Sequence, residues 1–318
     1  APVRFGSKPQ RVLVTGGTGF IGQILVRHLL ADGHAVTVWT RDARSAAWGF
    51  GGAVRCVQAL EQIPATDDVD VVINLAGARI LGQRWSERRQ RQLMQSRAGL
   101  TNTLVAWIAT RARKPWLLLS GSAIGYYGVQ PQGDTAELAE DAPPQDIFMS
   151  ALCQAWEQAA RGAVAHGVHV ACMRFGFVLG HQGSLPQLLL PVALGMGGRL
   201  GSGRQWLSWV HVHDVIRAMA HVWSLAEQAG GNAAAAQAFN FTAPGALSQE
   251  EFTRVAAGVM HRPFWMPTPA APVRLLLGEQ ADLLLEGQRV VPAHLLQTGF
   301  RFAFPDARSA LTDLCRPR

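Results

Sequence analysis

The sequence predicts an α/β fold: a doubly wound parallel sheet, covered by helices on both faces, followed by a smaller α/β lobe. Strand-like and helix-like patterns alternate from residue 11 to about residue 174, and a glycine-rich turn joins the first strand to the first helix. The pattern becomes irregular after residue 176. Such alternation is typical of a parallel sheet whose connecting helices lie on both of its faces.

The individual elements follow from local patterns. We predict strands at 11–15, 35–40, 54–58, 70–75, 116–120 and 168–174, and helices at 21–32, 86–112 and 147–166. The run 71–75 is apolar except for Asn74, as expected for a strand covered on both faces. Ser86 is a suitable N-cap for the long, arginine-rich helix. Residues 1–10 precede the first motif and are predicted to be a disordered leader.

The second half of the chain is less regular. Residues 180–205 are rich in Gly and Leu, 210–223 resemble a strand that enters a helix, and 230–236 form a low-complexity loop. Ser248 and Glu251 match a capping box that begins a helix at 248–260. We predict a first domain at 11–178 and a substrate lobe at 179–318. Segments near 207–224 and 239–243 are expected to be woven back into the first domain.

Three glycines at 16, 19 and 22 have the spacing G-x-x-G-x-x-G after an apolar strand and before a helix. In a dinucleotide-binding turn of the Rossmann type, the first glycine permits the turn and the second lets backbone N–H groups approach the pyrophosphate. The third lets the helix pack close to the strand, with its positive end toward the phosphates. We therefore expect cofactor contacts from the residues of this turn: Gly16, Thr18, Gly19, Phe20, Ile21 and Gly22.

Composition excludes several other classes of protein. The formal net charge of +7 favours anionic partners, but only two of the 29 basic residues are lysines and the arginines are dispersed, so we expect no nucleic acid partner. The four cysteines form no C-x-x-C pair, which favours a reducing, cytoplasmic location and no bound metal. Prolines and a glycine interrupt the apolar stretch at 185–196, so no membrane span is expected. The partner class that these exclusions leave is a small-molecule substrate. The sequence does not indicate the oligomeric state.

Several segments together resemble the extended short-chain dehydrogenase/reductase superfamily: TGGTGFIG at 15–22, NLAG at 74–77 and SGSAIGYYG at 120–128. Later segments narrow the resemblance: RFGFVLG at 174–180, GSGRQWLSWVHVHD at 201–214 and LLLEGQRVVPAHLLQTGFRF at 283–302. This set is similar to the YfcH-like epimerase family proteins, an atypical NAD(P)-dependent epimerase/dehydratase group with a C-terminal domain of unknown function. The resemblance runs from about residue 11 to 312.

The resemblance implies that the loop after the second strand selects the dinucleotide. A carboxylate there bonds the ribose 2′-hydroxyl of NAD, whereas an arginine accommodates the 2′-phosphate of NADP. Thr40 and Arg41 stand at this place, and the guanidinium fork suits a phosphate. We therefore predict NADP, with NADPH preferred over NADH. Two alternatives stay open. The carboxylate of Asp42 could select NAD instead, and Arg41 could be a solvated loop residue that contacts no cofactor.

The resemblance also implies further cofactor contacts. The turn after the fourth strand would line the dinucleotide, and a Ser-Arg pair in the arginine-rich helix would supply a cation. The segment after the sixth strand would border the nicotinamide, although ordinary core packing is the alternative, and Ser120 is a further expected cofactor contact. The predicted contacts are Leu75, Ala76, Gly77, Arg97, Ser120, Phe175, Gly176 and Val178.

Relatives that transfer hydride combine a Ser with a Tyr and a Lys in Y-x-x-x-K, where the Lys lowers the pKa of the Tyr. Ser122 occupies the Ser position, but Met149 and Cys153 stand where the Tyr and Lys are expected. The only tyrosines are Tyr126 and Tyr127, and neither lysine is near that helix. We predict Ser122, with Tyr127 or Tyr126 assisting, as the catalytic set. The alternative for the two tyrosines is aromatic packing under a loop, and Cys153 is expected to be a packed helix residue.

The segment 211–214 holds two histidines and an aspartate. The matching segment of relatives faces the substrate cleft, so a cleft-facing His211 is one interpretation that stays open. Asp214 is predicted to cap the following helix. A nucleotide-sugar substrate is disfavoured because Leu207 stands where related epimerases carry a diphosphate-binding arginine, with Arg204 three residues earlier. Two functions stay open: an NADP(H)-dependent oxidoreductase or epimerase-like enzyme acting on a small carbonyl or alcohol, and a non-catalytic NADP(H)-binding sensor or interaction protein.

Overall fold

A computed structural model describes residues 2–78, 80, 85–230 and 233–315. Its strands follow the predicted order through the first half of the chain and continue into the second. They are β1 (Arg11–Thr15), β2 (Ala35–Trp39), β3 (Arg55–Val57), β4 (Val71–Asn74), β5 (Leu117–Ala123), β6 (His169–Phe175), β7 (Phe177–Leu179), β8 (Trp206–Leu207), β9 (Trp209–His211), β10 (Ala236–Phe241) and β11 (Leu247–Ser248).

The central sheet has seven strands in the order β10-β6-β5-β4-β1-β2-β3, and every neighbouring pair is parallel. The strand order reverses between β1 and β4, because β2 leaves β1 on one side and β4 pairs with it on the other. Ligands of open α/β sheets bind at the carboxyl ends of the strands beside such a reversal. The predicted doubly wound parallel fold is confirmed.

The helices connect these strands and fill the second lobe. They are α1 (Phe20–Ala31), α2 (Ala43–Gly49), α3 (Glu87–Met94), α4 (Leu100–Thr110), α5 (Phe148–Arg161), α6 (Leu185–Ala193), α7 (Val212–Ala229), α8 (Gln249–Val259), α9 (Ala270–Leu277), α10 (Asp282–Leu285), α11 (Ala293–Gln297) and α12 (Ala307–Cys315). The helix predicted at 86–112 is divided by one π-helical turn, Gln95–Gly99. The helix predicted at 147–166 ends in a 3₁₀ turn, Gly162–His166.

Alternate residues of the strands point to opposite faces, so the sheet has two cores. Val12 and Val14 of β1 pack with α1 and α7, for example against Leu25 and Trp223. Leu13 of the same strand points to the other face and packs with α4 and α5. The period of two in the strands thus places a helical layer on each side.

A third core lies in the second lobe, where Trp209 and Phe252 pack with Leu311 of α12. The helix α8 begins at the predicted capping box: Ser248 accepts from the Glu251 N–H, and Glu251 accepts from the Ser248 N–H. The predicted domain boundary near residue 178 stays a prediction. The strand β10, which follows that boundary in the chain, belongs to the central sheet. Part of the low-complexity loop, at 231–232, lies outside the described residues.

The prediction of a disordered leader is wrong for residues 2–10. Phe5 is 1% exposed and packs edge-on against Trp223, while its N–H donates to Asp32. Ser7 donates to Glu227 of α7. The buried Phe5 ring thus anchors the segment to α7 through a contact distant in sequence, which no local pattern signalled. Throughout the described parts of the chain, no helix has the length and apolar character to span a membrane.

Candidate dinucleotide and substrate site

The glycine turn lies at the carboxyl end of β1, and its backbone approaches a second turn closely. Gly16 has φ +68°, and a Cβ there would lie 2.6 Å from the Leu75 carbonyl oxygen. A Cβ on Gly22 would lie 2.1 Å from the Gly16 carbonyl oxygen. Both positions therefore require glycine, because neighbouring backbone packs directly against them. A tight turn of this kind, followed at once by the N-terminus of α1, is what a pyrophosphate site needs, so the residues fit a dinucleotide.

The helix α1 begins directly after Gly19, whose N–H donates to the Gly16 carbonyl. No side chain caps this end and no acidic residue lies in its first turn, so the N–H groups and the helix dipole are available to an anion. Phe20 turns toward the second lobe: a Cβ on Gly180 would lie 2.3 Å from its ring. Phe20 therefore joins the two lobes beside the expected phosphates, and Ile21 packs against the core.

An outer cavity of about 460 Å³ lies in front of β2 and α1. Thr18, Thr40 and Arg41 line it, as does Arg27 of α1, which sequence reasoning missed. Asp42 lines the cavity as well, and its Oδ1 accepts from the Ser45 N–H as the N-cap of α2. Two exposed arginines thus line this space, and Asp42 is the one carboxylate among the described residues that line it.

Beneath the turn, a buried hydrogen-bond network holds three strand ends together. Thr15 donates to the Asn74 oxygen at 2.6 Å, and the Asn74 amide donates to Thr101 and Ser120. The Ala76 N–H donates back to Thr15. Ser120, predicted as a cofactor contact, is 1% exposed and accepts from Asn74. In the structure, Ser120 therefore lies below the site and helps to hold β4 and β5 together.

Arg97 lies where α3 and α4 are joined by the π-helical turn, a feature that often marks functional sites. Its guanidinium donates to the Ala78 carbonyl at 2.9 Å and lies over the Trp156 ring at 5.3 Å. A Cβ on Gly77 would lie 3.2 Å from its Cζ, so the small residues at 76–77 leave it room. Burial lowers the pKa of Arg97. A buried cation thus borders both the turn at 75–77 and the inner cavity.

The inner cavity, of about 410 Å³, lies between the two lobes. Its walls are mostly apolar and come from β5, α5 and the segment after β6 on one side, and from 184–208, α8 and 282–288 on the other. Of the predicted site residues, the structure places four on its walls: Arg97, Ser122, Phe175 and Gly176. Met149 and Cys153 line it too, whereas Tyr126, Tyr127 and Val178 are not among its lining residues. Val178 pairs with Val210 instead.

A buried ion pair lies directly behind Ser122. The Ser122 hydroxyl donates to Glu157 Oε1 at 2.8 Å. Arg174 grips the same carboxylate with two bonds, Nε to Oε1 at 2.7 Å and Nη2 to Oε2 at 3.0 Å. Burial alone lowers the pKa of Arg174, but the bonds and attraction to Glu157 outweigh it, and the pKa is raised.

Tyr127 belongs to this network and not to the cavity wall. Its hydroxyl accepts from Arg174 at 2.8 Å and donates to Asn240 at 2.7 Å, so its proton is already used. Burial raises the pKa of Tyr127 to about 12, although Arg174 opposes the shift. Tyr126 stacks under the Arg174 guanidinium, with Cζ 3.6 Å from the ring centroid. This geometry favours the packing interpretation of both tyrosines.

Met149 and Cys153 lie one helical turn apart on α5 and face the cavity. Burial raises the pKa of Cys153 to about 12, and Glu157 adds to the effect. The thiol therefore stays neutral near pH 7 and supplies neither a nucleophile nor a positive charge.

Comparisons with known proteins bear on this site. The profile of the NAD dependent epimerase/dehydratase family matches residues 12–240, and that of a domain of unknown function, DUF1731, matches residues 268–314. The chain belongs to the NAD-dependent epimerase/dehydratase family. The resemblance seen in the sequence motifs is thereby confirmed.

Relatives within this family cover nearly the whole chain. The epimerase family protein YfhF of Bacillus subtilis is 35% identical over 311 residues, 96% of this chain and 98% of its own length. The mouse epimerase family protein SDR39U1 is 36% identical over 311 residues, 96% of this chain and 99% of its own. A crystal structure of human SDR39U1 with NADPH superposes with a TM-score of 0.83 at 33% identity, covering 96% and 98% of the two chains.

A structure of UDP-galactose 4-epimerase shares the fold, with a TM-score of 0.71 at 19% identity. The structure of this chain also places the two positions at which the sequence analysis looked for a diphosphate-binding arginine. Leu207 lines the inner cavity, whereas Arg204 lines a separate surface pocket with Glu250 and Arg254.

Two interpretations of the segment 211–214 are wrong. His211 does not line the inner cavity; it stacks on Phe304 with ring centroids 3.9 Å apart and caps α7 by accepting from the His213 N–H. Asp214 is not the cap. It is fully buried and accepts from the Ala303 and Phe304 N–H groups, so it ties the C-terminal segment to α7. Among the described residues no cluster of His, Cys, Asp or Glu is arranged to hold a metal.

Glu157 and Arg174 are two further site residues that sequence reasoning missed, although both left a signal. Arg174 is a charged residue in the otherwise apolar strand HVACMRF, and a buried charge needs a partner. Glu157 lies four residues after Cys153, on the same face of α5 as the expected dyad. Combining these two facts would have indicated the ion pair behind Ser122.

Proposed function

We propose that this chain binds NADP(H) and uses it to oxidise or reduce a small, largely apolar alcohol or carbonyl compound. The observation that carries the cofactor choice is the outer cavity, where Arg41 and Arg27 face the space beyond Thr40 while Asp42 is held as a helix cap. An arginine pair suits a 2′-phosphate, and it faces a single carboxylate whose Oδ1 already accepts from the Ser45 N–H. The human relative was solved with NADPH, which supports this proposal.

Other residues would hold the rest of the dinucleotide. The glycine turn and the first turn of α1 would bind the pyrophosphate, and the turn at 75–77 with Arg97 would border it. Phe175 and Gly176 would border the nicotinamide at the inner cavity. When bound, the dinucleotide supplies a hydride donor or acceptor, and the protein supplies orientation and the exclusion of water.

The inner cavity indicates the kind of substrate. Three glutamines on its wall already use their amide groups: Gln205 donates to Leu200 and Leu284, Gln249 to Thr253, and Gln288 to Gly128. These glutamine amides are thus held in internal bonds, while Ser122 is a polar group on the dinucleotide side of the wall. A compact, largely apolar molecule that places an oxygen function beside Ser122 fits such a cavity.

A second function remains a candidate because one observation favours it. Met149 and Cys153 occupy the wall where the proton-transfer pair of hydride-transferring relatives is expected, and neither can exchange a proton near pH 7. A chain that binds NADP(H) without turnover, as a redox sensor or interaction partner, would tolerate both residues. A screen of NADPH consumption against aldehydes and ketones distinguishes the two functions, since only an enzyme loses activity in Ser122→Ala.

The cofactor proposal is tested by measuring NADPH and NADH affinities of the whole chain by fluorescence titration. Loss of a charged hydrogen bond costs about 1.5–3 kcal/mol, so Arg41→Ala should weaken NADPH binding about 10- to 100-fold and leave NADH nearly unchanged. Arg27→Ala should also weaken NADPH binding and leave NADH binding nearly unchanged. Arg44→Ala is the control, because Arg44 is exposed on α2 and does not line the outer cavity. Equal affinities for both dinucleotides in the unaltered chain would overturn the proposal.

A further inference from the structure

We propose that Glu157 is a positioning residue that fixes the polarity of Ser122. Ser122 then offers an oxygen lone pair, and not its proton, to the inner cavity. The group bound against it must therefore be a hydrogen-bond donor, such as an alcohol hydroxyl. The inference rests on the proposed function only in taking the inner cavity as the substrate site.

The first step concerns the charge of Glu157. Arg174 grips both of its oxygens through Nε and Nη2, at 2.7 and 3.0 Å, and both side chains are nearly inaccessible to water. A guanidinium remains protonated in proteins, and a buried one is stable only beside an anion. Glu157 is therefore a carboxylate, which can accept hydrogen bonds and cannot donate them.

The second step concerns the proton of Ser122. Its Oγ lies 2.8 Å from Glu157 Oε1, and of these two atoms only the hydroxyl carries a hydrogen. A hydroxyl has a single proton, so once it is donated to Glu157 the oxygen has only lone pairs left. Because Ser122 also lines the inner cavity, those lone pairs are what a ligand meets.

The third step concerns the rigidity of this arrangement. Arg174 is held from three further sides: Nη1 donates to Tyr127 and to the Glu140 carbonyl, and its plane lies on Tyr126. Tyr127 in turn donates to Asn240. Turning the Ser122 proton toward the cavity would leave a lone pair of a buried carboxylate unsatisfied, which is costly in a low-dielectric interior.

The consequence is a preference for donors over acceptors. A serine that donates its proton favours a carbonyl oxygen, whereas Ser122 in this arrangement favours the hydroxyl of the corresponding alcohol. Ser122 thereby selects the reduced member of an alcohol/carbonyl pair as the tighter ligand of the inner cavity.

The experiment uses a ligand pair that cannot undergo hydride transfer. Indole and benzofuran have nearly the same shape, but indole presents an N–H donor and benzofuran a weak oxygen acceptor. Each is titrated into the full chain and followed by the methyl resonance of Met149, which lines the same cavity. Indole should bind about 3- to 10-fold more tightly, as one net hydrogen bond implies. The ratio should fall to near one in Ser122→Ala.

Glu157→Gln tests the positioning role itself. The amide can donate to Ser122 and release its proton to the cavity, so the indole preference should be lost or reversed. A merely structural role would weaken both ligands equally and leave their ratio unchanged, which would overturn the inference. If E157Q does not fold, the Ser122→Ala ratio decides: an unchanged ratio there overturns it as well.

NADPH affinity is measured on the same samples so that the two proposals fail separately. If the unaltered chain binds no NADPH but prefers indole through Ser122, the cofactor proposal fails and this inference stands. If NADPH binds but benzofuran binds as tightly as indole or more tightly, the cofactor proposal stands and this inference fails.

Discussion

Gly22 lies so close to Gly16 that a Cβ on Gly22 would stand 2.1 Å from the Gly16 carbonyl oxygen. Real Cβ atoms do not approach a backbone oxygen to this distance, so the first turn of α1 can lie against the end of β1 only while residue 22 has no side chain. The approach brings the helix N-terminus to the place where a pyrophosphate would bind.

Gly22→Ala should therefore shift the turn and reduce NADPH affinity by at least about tenfold, through distortion of the backbone donors. Fluorescence titration measures the affinity, and thermal unfolding shows whether the fold survives. The matched control is Gly258→Ala in α8, where a Cβ meets nothing within 4 Å. That change should stabilise the helix by up to about 1 kcal/mol and leave NADPH binding intact. Undiminished affinity in G22A would contradict the role assigned to this contact.

Tyr127→Phe should destabilise the protein without changing its ligand binding. It removes the hydroxyl that accepts from Arg174 and donates to Asn240, leaving both buried partners short of one bond at a cost of about 1–3 kcal/mol. Tyr126→Phe, which keeps the stacking on Arg174, should cost much less. Chemical denaturation of both variants makes the comparison. A Tyr127→Phe variant that is fully stable but inactive would favour proton transfer by Tyr127 instead.

Stability should fall on acidification between pH 6.5 and about 4 because of His211. Burial lowers its pKa from 6.5 to about 4, while Asp313 and Asp214 partly oppose the shift. The ring Nε2 lies 3.4 Å from the Asp313 carboxylate but is not aligned for a hydrogen bond, so the neutral ring is favoured. In this range the unfolded chain binds a proton that the folded chain refuses, so unfolding is favoured as the pH drops.

The loss attributable to His211 should be on the order of 2–3 kcal/mol, and His211→Asn, which keeps an acceptor for the cap, should reduce the slope. Burial also lowers the pKa of His28, His213 and His221, so part of the slope should remain. The exposed His181→Asn serves as control. The measurement is the free energy of unfolding across this pH range, and an identical slope in H211N would refute the assignment.

Cys153 should resist alkylation in the folded protein. Burial raises the pKa of Cys153 and of Cys172 to about 12, so almost no thiolate forms at a pH of about 8. Mass spectrometry after iodoacetamide treatment should find label on the half-buried Cys56 and Cys315 first, and on all four only after unfolding in guanidinium chloride. Rapid labelling of Cys153 in the native state would mean that the inner cavity holds a reactive thiol after all.

Local patterns were enough to predict six of the seven strands of the central sheet, all except β10. The glycine turn, the apolar strands and the Ser248–Glu251 capping box depend on residues a few positions apart, and each was found where the sequence placed it. Asp42 shows the limit of the same approach. From sequence alone, a carboxylate beside Arg41 could bind a ribose hydroxyl or cap a helix, and the bond from the Ser45 N–H to Asp42 becomes visible only in the folded backbone.

Local sequence patterns could not predict the hydrogen-bond partners that residues find far away in the chain. Glu157 bonds Ser122 across 35 positions and Arg174 across 17, and Asp214 bonds N–H groups about 90 positions away. In each case the partner of the polar residue depends on strand order and helix packing, which no local pattern gives. The position of Phe5 under Trp223 is of the same kind.

The place of β10 in the sheet has a consequence for the synthesis of the chain. The strand β6 pairs along Val170–Phe175 with Ala236–Phe241, in register from end to end. Until the ribosome has released residue 241, one side of β6 carries a row of backbone groups with no neighbour. A growing or truncated chain would therefore expose an open sheet edge, the surface through which proteins add foreign strands and aggregate.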